Sequence, residues 1–445
     1  MTQESPQLIP HTPTTTFKND TTISMSAEDT EDMEGSTESQ TPTVHRAAQN
    51  LYWCRQVRAF AKEHQRDPTE PSPFSFALDF LAEGAANAVF TVRPWTDDSV
   101  GTNFVITAHN GSDVILSGQQ FRNKVLRFSK GAPNTPDCKS IIDSYYADIK
   151  PLFEDFDEHL LHPELTEIEP LMVNQLNKSI AEHAIVNPRR FKGWIPKIGG
   201  NQLALIIDNM SSIPGSALTI EIKPKWLAQS ASAIRNALRC RTCAMQSLNV
   251  SNGESKTEAY ICPLRLASGN AALIKPWVQN KVAATMVAET SSVPSATQAN
   301  IIDAITSYFS TGEQGNKLLA HLRTLQVKHD PIGIMRREEV SGLPHWTYPP
   351  VDTTNESLDR DLRLAMTLRD CSLYVRVHYE GENVVKVESK LGDLDFKSAN
   401  KMDDWWLKEQ QLINGEWYKK IGELQREVPC EIFAGWRDIV QRHWG

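Results

Sequence analysis

Apolar and polar positions alternate most clearly between Leu373 and Val387. Leu373, Val375 and Val377 mark every second position, Gly381 and Asn383 interrupt, and Val384, Val385 and Val387 resume. Alternation on both sides of a Gly/Asn turn predicts a β-hairpin. Phe76–Arg93 and Asp113–Phe128 are also strand-rich. Leu203–Ile207 is a continuous apolar run of strand length that leads into Asp208 and Asn209. Ile220 and Ile222 flank Glu221 and predict a short strand stopping at Pro224. Helical spacing of apolar residues predicts helices over Ala47–Gln65, Ala231–Leu248, Asn300–Phe309 and Asn316–Lys328, with a long amphipathic one over Met402–Val428. Residues 155–184 read as a helical or loop-rich connection, and 330–355 as a surface loop. A strand-rich first half and a helix-rich second half imply an α+β fold. The expected division is a tail over 1–45, an N-lobe over 46–210 and a C-lobe over 211–445.

Composition narrows the class. Of 445 residues, 40% are hydrophobic and 23% charged, as in ordinary globular chains. No apolar run approaches the length of a membrane span, and the first residues lack the basic and apolar parts of a signal peptide. Seven dispersed cysteines in such a chain read as reduced thiols. Residues 1–45 are rich in Ser, Thr and Pro, a composition that cannot bury enough surface to order itself. Residues 1–50 hold eight acids and two bases, so six of the nine excess negative charges lie there and the other 395 residues carry −3. The acidic balance is therefore a property of the tail and does not exclude an anionic substrate.

The hairpin carries the candidate chemistry at its outer ends. Asp370 precedes its first strand, and Asp393, Asp395 and Lys397 follow its second. Closing the hairpin brings these carboxylates together, where Mg²⁺ relieves their repulsion. Solvated acidic ends are the alternative reading. Lys223 and Lys225 lie two apart, so on extended backbone both ammonium groups point one way, toward an anion or toward water. Trp226 beside them argues for an enclosed site. The run EGAANAVF at Glu83–Phe90 has small residues that let backbone N–H groups approach phosphate, although it lacks the Gly-Lys-Ser/Thr ending of a P-loop. A structural turn is the other reading. Cys240 and Cys243 form a CxxC; structural zinc takes four ligands, usually with a second Cys/His pair, and here Cys262 is one candidate third while His321 and His329 are unplaced. Packing cysteines, and no zinc, are the expectation.

EGAANAVF, KVLRFSK (Lys124–Lys130), IDN (Ile207–Asn209), EIKPKW (Glu221–Trp226), CRTCAMQ (Cys240–Gln246), RDCS (Arg369–Ser372) and DLDFK (Asp393–Lys397) occur in one order. Together they resemble the inositol-pentakisphosphate 2-kinase family, in a fungal style, from about residue 80 to 405. The resemblance implies a two-lobed kinase-like fold using ATP and Mg²⁺. It implies phosphoryl transfer to the 2-hydroxyl of inositol 1,3,4,5,6-pentakisphosphate, giving inositol hexakisphosphate (phytate). By the same resemblance, Asp370 and Lys223 are catalytic. Glu83, Gly84, Ala85, Asn87 and Arg127 contact ATP phosphates, and the main chain at Asp208 and Asn209 holds adenine. Lys130, Arg189, Arg190, Lys225, Lys397 and Lys401 face inositol phosphates, while Asp393 and Asp395 hold the metal. Asn316 reads as a substrate contact or a helix cap.

The chain departs from the family at Trp405, where a tyrosine is usual, and at Ala244-Met245-Gln246, where Met-His-Gln is usual. A lysine is also replaced near Asn249, and Arg239 and Arg241 are candidate compensations. Plant relatives carry a zinc site elsewhere, with no matching cluster here. The protein-kinase HRD and DFG motifs are missing. Dispersed basic residues argue against nucleic acid. The expected protein is a monomer in the nucleus, cytoplasm or both, with ATP and the inositol phosphate as partners and no membrane attachment.

Overall fold

Among the described residues, three antiparallel sheets arise from the strand-rich runs. The structure is a computed structural model that describes residues 57–61, 76–84, 86–94, 102–107, 113–117, 123–131, 135–168, 170–186, 193–196, 202–254, 260–289, 293–336, 353–420 and 428–433. Five strands build the largest sheet: β2 (Phe76–Glu83), β3 (Asn87–Pro94), β6 (Lys124–Ser129), β7 (Glu164–Ile168) and β8 (Gln202–Asp208), in the order β2-β3-β6-β8-β7. β1 (Val57–Ala61), β4 (Thr102–Thr107) and β5 (Asp113–Ser117) form a second sheet in the order β1-β4-β5. β9 (Ala217–Ile222), β10 (Ser372–Glu380) and β11 (Asn383–Gly392) form the third, with β10 in the centre.

The helices number nine among the described residues: α1 (Cys138–Ser144), α2 (Pro170–Val186), α3 (Arg241–Ser251), α4 (Pro263–Ser268), α5 (Ala271–Ala288), α6 (Ser295–Tyr308), α7 (Gln314–Lys328), α8 (Thr353–Asp370) and α9 (Met402–Asn414). The chain is α+β, as its pattern implied. No described helix is long and apolar enough to cross a membrane.

Two apolar cores account for the arrangement. One lies against the five-stranded sheet, where Phe90, Leu126, Phe128 and Ile206 meet Val173, Leu176 and Ile180 of α2. The other, larger core packs the β9-β10-β11 sheet against α5, α6 and α7. Leu373, Val375 and Val377 are fully buried in it, so the alternating run faces this core. Gly381 turns the hairpin at φ +59, a left-handed value that costs glycine least.

Several boundaries differ from expectation. Residues 57–61 lie inside the expected helix over 47–65 but form β1, paired with β4; the rest of that span lies outside the described residues. Backbone pairing with β4 overrode the helical spacing there. The helix expected from Ala231 starts only at Arg241, because the Cys240 side chain accepts the Cys243 N–H and caps it. The helix expected over 402–428 stops at Asn414, and Glu416 takes φ +57 just beyond. The connection over 155–184 contains β7 and α2 as well as a 3-10 segment (Lys150–His159). In the expected loop over 330–355, Asp330 and Ile334 are buried, α8 begins at Thr353, and most of the remainder lies outside the described residues.

Candidate active site

The hairpin register gathers the acidic residues. Ser372 pairs with Gly392, so the residues just outside, Asp370 and Asp393, leave the same end of the sheet. β9 pairs with β10 through Leu373–Ile222, which delivers Lys223 to that end as well. Lys223 Nζ lies 2.8 Å from Asp393 Oδ2 and 3.4 Å from the Asp370 carbonyl oxygen. Lys225 Nζ lies 2.9 Å from Asp370 Oδ1, and Lys397 Nζ lies 2.6 Å from Asp370 Oδ2. Both oxygens of Asp370 are thus held by ammonium groups. Ser372 Oγ is 3.0 Å from Asp393 Oδ2 and fixes it from behind.

The lysines do not converge for the reason their spacing gave. β9 ends at Ile222, and Lys225 adopts φ +55, so the strand period does not aim it. Gln326 of α7 stabilises this bend. Its amide donates to the carbonyls of Lys225 (2.9 Å) and Leu368 (3.2 Å), and its oxygen accepts from Leu227 N–H (2.9 Å). The side chain is almost completely buried. Sequence reading missed Gln326, since a glutamine on a helix reads as surface. Asp393 is also left-handed, at φ +53. Two of the three non-glycine residues with positive φ among the described residues are therefore at this site, where tertiary contacts hold strained backbone.

Arg127 joins this cluster to the five-stranded sheet. It projects from β6, and its guanidinium lies 2.6 Å from Asp395 Oδ1 and 3.5 Å from Asp393 Oδ1. Arg127 and Asp393 also line a cavity of about 920 Å³ with Val125, Ile207, Met210 and Tyr374. That is the size of a small-molecule site with apolar walls and few polar groups. Asn209 spends its main chain internally: its N–H donates to Asn123 and its carbonyl accepts from Arg376. The main-chain N–H and C=O of Met210 have no such partner among the described residues. The Asp208 carboxylate pairs with Lys124 at 2.6 Å.

Other sequence-nominated residues have different surroundings. Glu83, Gly84 and Asn87 close the β2–β3 turn, with Gly84 N–H donating to the Asn87 carbonyl. Lys130 is buried, ion-paired with Glu83 and bonded to the Gly84 carbonyl at 3.1 Å, so it braces this turn. The Asn87 amide oxygen is buried without a hydrogen-bond partner. Lys401 ends a 3-10 turn (Ala399–Lys401) and makes no ion pair among the described residues. Ala85, Arg189 and Arg190 lie outside the described residues.

Arg239 and Arg241 do not compensate for the altered substrate contacts, because both are buried in structural roles. Arg239 bonds the carbonyls of Lys420 and Val428, and Arg241 pairs with Glu409 at 2.7 Å. Asn316 sits within the first turn of α7, where its side chain bonds Gly312 N–H and the Ala267 carbonyl. Trp405 is buried beside Ile334, Leu362 and Met402.

Charge balance keeps the cluster ionised. Burial works to raise the Asp370 pKa, but Lys397 and Lys225 outweigh it and hold the carboxyl well below its usual range. Burial likewise opposes ionisation of Asp393, and Lys223 and Arg127 prevail, lowering its pKa. Lys223 is raised in turn, because Asp393 outweighs the effect of burial. Carboxylates and cations interleaved at the mouth of a nucleotide-sized cavity define a phosphotransferase-type site for anionic reactants.

Comparison with known proteins identifies the class more closely. The profile of the family described as Inositol-pentakisphosphate 2-kinase matches residues 80–411. A Yarrowia lipolytica protein named inositol-pentakisphosphate 2-kinase is 27% identical over 288 residues, spanning 58% of this chain and 83% of its own length. The chain belongs to the inositol-pentakisphosphate 2-kinase family.

Proposed function

We propose that this protein transfers the γ-phosphoryl group of ATP to the 2-hydroxyl of inositol 1,3,4,5,6-pentakisphosphate, forming inositol hexakisphosphate. The observation that carries the proposal is the double hold on Asp370 by Lys225 and Lys397, at the end of the sheet where Asp393 meets Arg127. The five-stranded sheet serves as a nucleotide lobe and the β9-β10-β11 sheet with its helices as an acceptor lobe, divided near residue 210. Separate apolar cores support that division.

ATP would occupy the 920 Å³ cavity, with Met210 offering an unpaired N–H and C=O to the adenine edge and Arg127 meeting the phosphates. Asp393 suits Mg²⁺: it is a hard oxygen donor, ionised and exposed on the cavity wall. Asp395 is more enclosed and already engaged by Arg127, so it serves as a second ligand only by sharing its carboxylate. The metal would supply charge neutralisation between nucleotide phosphates.

Asp370 is the acceptor for the hydroxyl proton. Its depressed pKa makes it a weak base while both lysines hold it. Inositol phosphates brought against Lys225 and Lys397 draw charge away from Asp370 and strengthen it as a base at the moment the acceptor is in place. Lys223, beside Asp393, meets the transferring phosphoryl group.

The test is incubation of the full chain with Mg·ATP and a panel of inositol phosphates, with products resolved by chromatography. Conversion of the pentakisphosphate to the hexakisphosphate is expected. Binding of inositol phosphates with no product and no thermal shift by Mg·ATP would mark a binding protein and overturn the proposal.

A further inference from the structure

We propose that Arg376 is a positioning residue for the nucleotide: from the middle of β10 it holds the main chain on both sides of Met210 and so sets the groups that meet the base. The inference rests on the reading of the 920 Å³ cavity as the ATP site. Strand alternation turns Val375 and Val377 into the apolar core and Arg376 to the opposite face, the one from which Tyr374 lines the cavity. Arg376 is buried there. Its Nη2 donates to the carbonyls of Asn209 (2.5 Å) and Ser211 (2.8 Å). Nε donates to Thr219 Oγ1 on β9 (3.2 Å), and Nη1 to Glu388 on β11 (3.3 Å). Both neighbouring strands thus fix the guanidinium, and one arm of its fork is left for the segment after β8.

That segment leaves a single residue open. Asn209 N–H donates to the Asn123 carbonyl at 2.6 Å. Ser211 N–H donates to Asn209 Oδ1 at 2.9 Å. Arg376 takes the two carbonyls, and Met210 keeps its N–H and C=O unpaired. A trans peptide is planar, so each N–H points opposite to the carbonyl before it. Holding the Asn209 carbonyl therefore aims the Met210 N–H away from Arg376. Holding Ser211 N–H on Asn209 Oδ1 aims the Met210 carbonyl in the same way. Two carbonyl oxygens converging on one point repel each other unless a donor stands between them, and a charged donor makes the stronger bonds. Arg376 meets that need with a rigid fork, which a lysine lacks.

The charge of Arg376 is balanced without using the cavity. Burial works to raise the Glu388 pKa, but His378 and Lys386 outweigh it and lower the value to about 2. His378 Nε2 lies 3.0 Å and Lys386 Nζ 2.9 Å from the Glu388 carboxylate. Glu388 consequently stays anionic and keeps partners of its own when Arg376 is replaced. β10 begins at Ser372, two residues after Asp370, so one strand carries both the proton acceptor's anchor and the support for the base.

The experiment measures kcat, KM for Mg·ATP and KM for inositol pentakisphosphate in the full chain carrying Arg376→Met or Arg376→Lys. Arg376→Met should raise the KM for ATP about tenfold or more, the size of a lost charge-assisted hydrogen bond, and leave the inositol phosphate KM unchanged. Arg376→Lys should recover part of that loss. A side chain that only stabilised the fold would reduce the amount of active protein and move neither KM. Because Arg376→Met can fail to fold, Arg376→Lys, which keeps the charge beside Glu388, carries a second readout. Its preference for ATP over inosine triphosphate, whose base edge exchanges adenine's donor and acceptor, should fall below that of wild type. Unchanged KM values with unchanged base preference, or equal rises in both KM values, would overturn the role of Arg376. Wild-type protein that binds no Mg·ATP would instead remove the ATP reading of the cavity, and this inference with it.

Discussion

Asp370 and Arg369 are consecutive, yet they belong to two differently built charge layers. The front layer contains Asp370, Lys223, Lys225, Lys397 and Asp393, whose side chains are between 26% and 49% exposed. The rear layer contains the Arg369–Asp330 and Arg241–Glu409 pairs, none more than 10% exposed. Between the rear guanidiniums lies the Trp226 ring, 3.5 Å from Arg369 and 4.4 Å from Arg241. Front pairs are solvated and contribute about 1 kcal/mol or less each, so a phosphate can exchange with their carboxylates at little cost. Rear pairs cannot exchange, because a buried charge stripped of its partner loses about 3–5 kcal/mol. The difference teaches that burial, rather than residue type, separates charges that handle substrate from charges that hold the site in shape.

The largest effect should come from the front layer and fall on activity alone. Asp370→Asn is expected to reduce turnover on inositol pentakisphosphate by about 10²–10⁴-fold, the usual range for loss of a general base. Lys223→Met and Lys225→Met should also lose orders of magnitude. Melting temperatures of all three should stay close to wild type. Activity near wild type in these variants would collapse the distinction between the layers.

Asp330→Ala should show the opposite pattern. Arg369 would remain buried without its partner, and denaturant unfolding should report a loss of about 3–5 kcal/mol. Turnover per folded molecule should change far less than in Asp370→Asn. A stable Asp330→Ala protein with little activity would place Asp330 in the front layer by function.

A smaller effect concerns pH. The folded-state pKa of Asp370 is depressed, so its contribution to stability is present above the unfolded carboxyl value of about 3.9. That contribution is lost only as pH falls toward the lower folded value. Accordingly, the wild-type kcat/KM profile should show no Asp370 limb above about pH 4. Lys397→Met removes the largest opposing charge and should move an acid limb upward into the measurable range. An unchanged profile in that variant would mean that Lys397 does not govern the carboxyl.

The smallest effect expected is from the acidic tail. A chain beginning at Val44 should keep its specific activity, because the family match starts at residue 80 and the tail composition offers no core. A substantial fall would assign the tail a part in the reaction.

Local patterns were legible wherever the chain obeyed a single period. The hairpin around Gly381, the strand over Leu203–Ile207 and the helices over 300–309 and 316–328 follow from spacing that one apolar core enforces. Site legibility was uneven for a related reason. Hairpin closure foretold the meeting of Asp370 with Asp393. The convergence of Lys223 and Lys225 was foreseen from a strand period that the chain had already left. Lys130 and Arg241 read as solvent-facing or ligand-facing cations, yet each is buried against a carboxylate.

By itself the sequence determined the α+β character, the hairpin and the ordered set of motifs, because these depend on neighbours a few residues apart. Only the tertiary structure decided which charges are front and which are rear. It turned Lys225 through a left-handed bend under Gln326, joined Arg127 to Asp393 and Asp395, and brought Cys430 to the CxxC. Those outcomes depend on contacts between residues separated by about a hundred positions or more. No local periodicity encodes such contacts, since their free energy is gained only when separate elements pack.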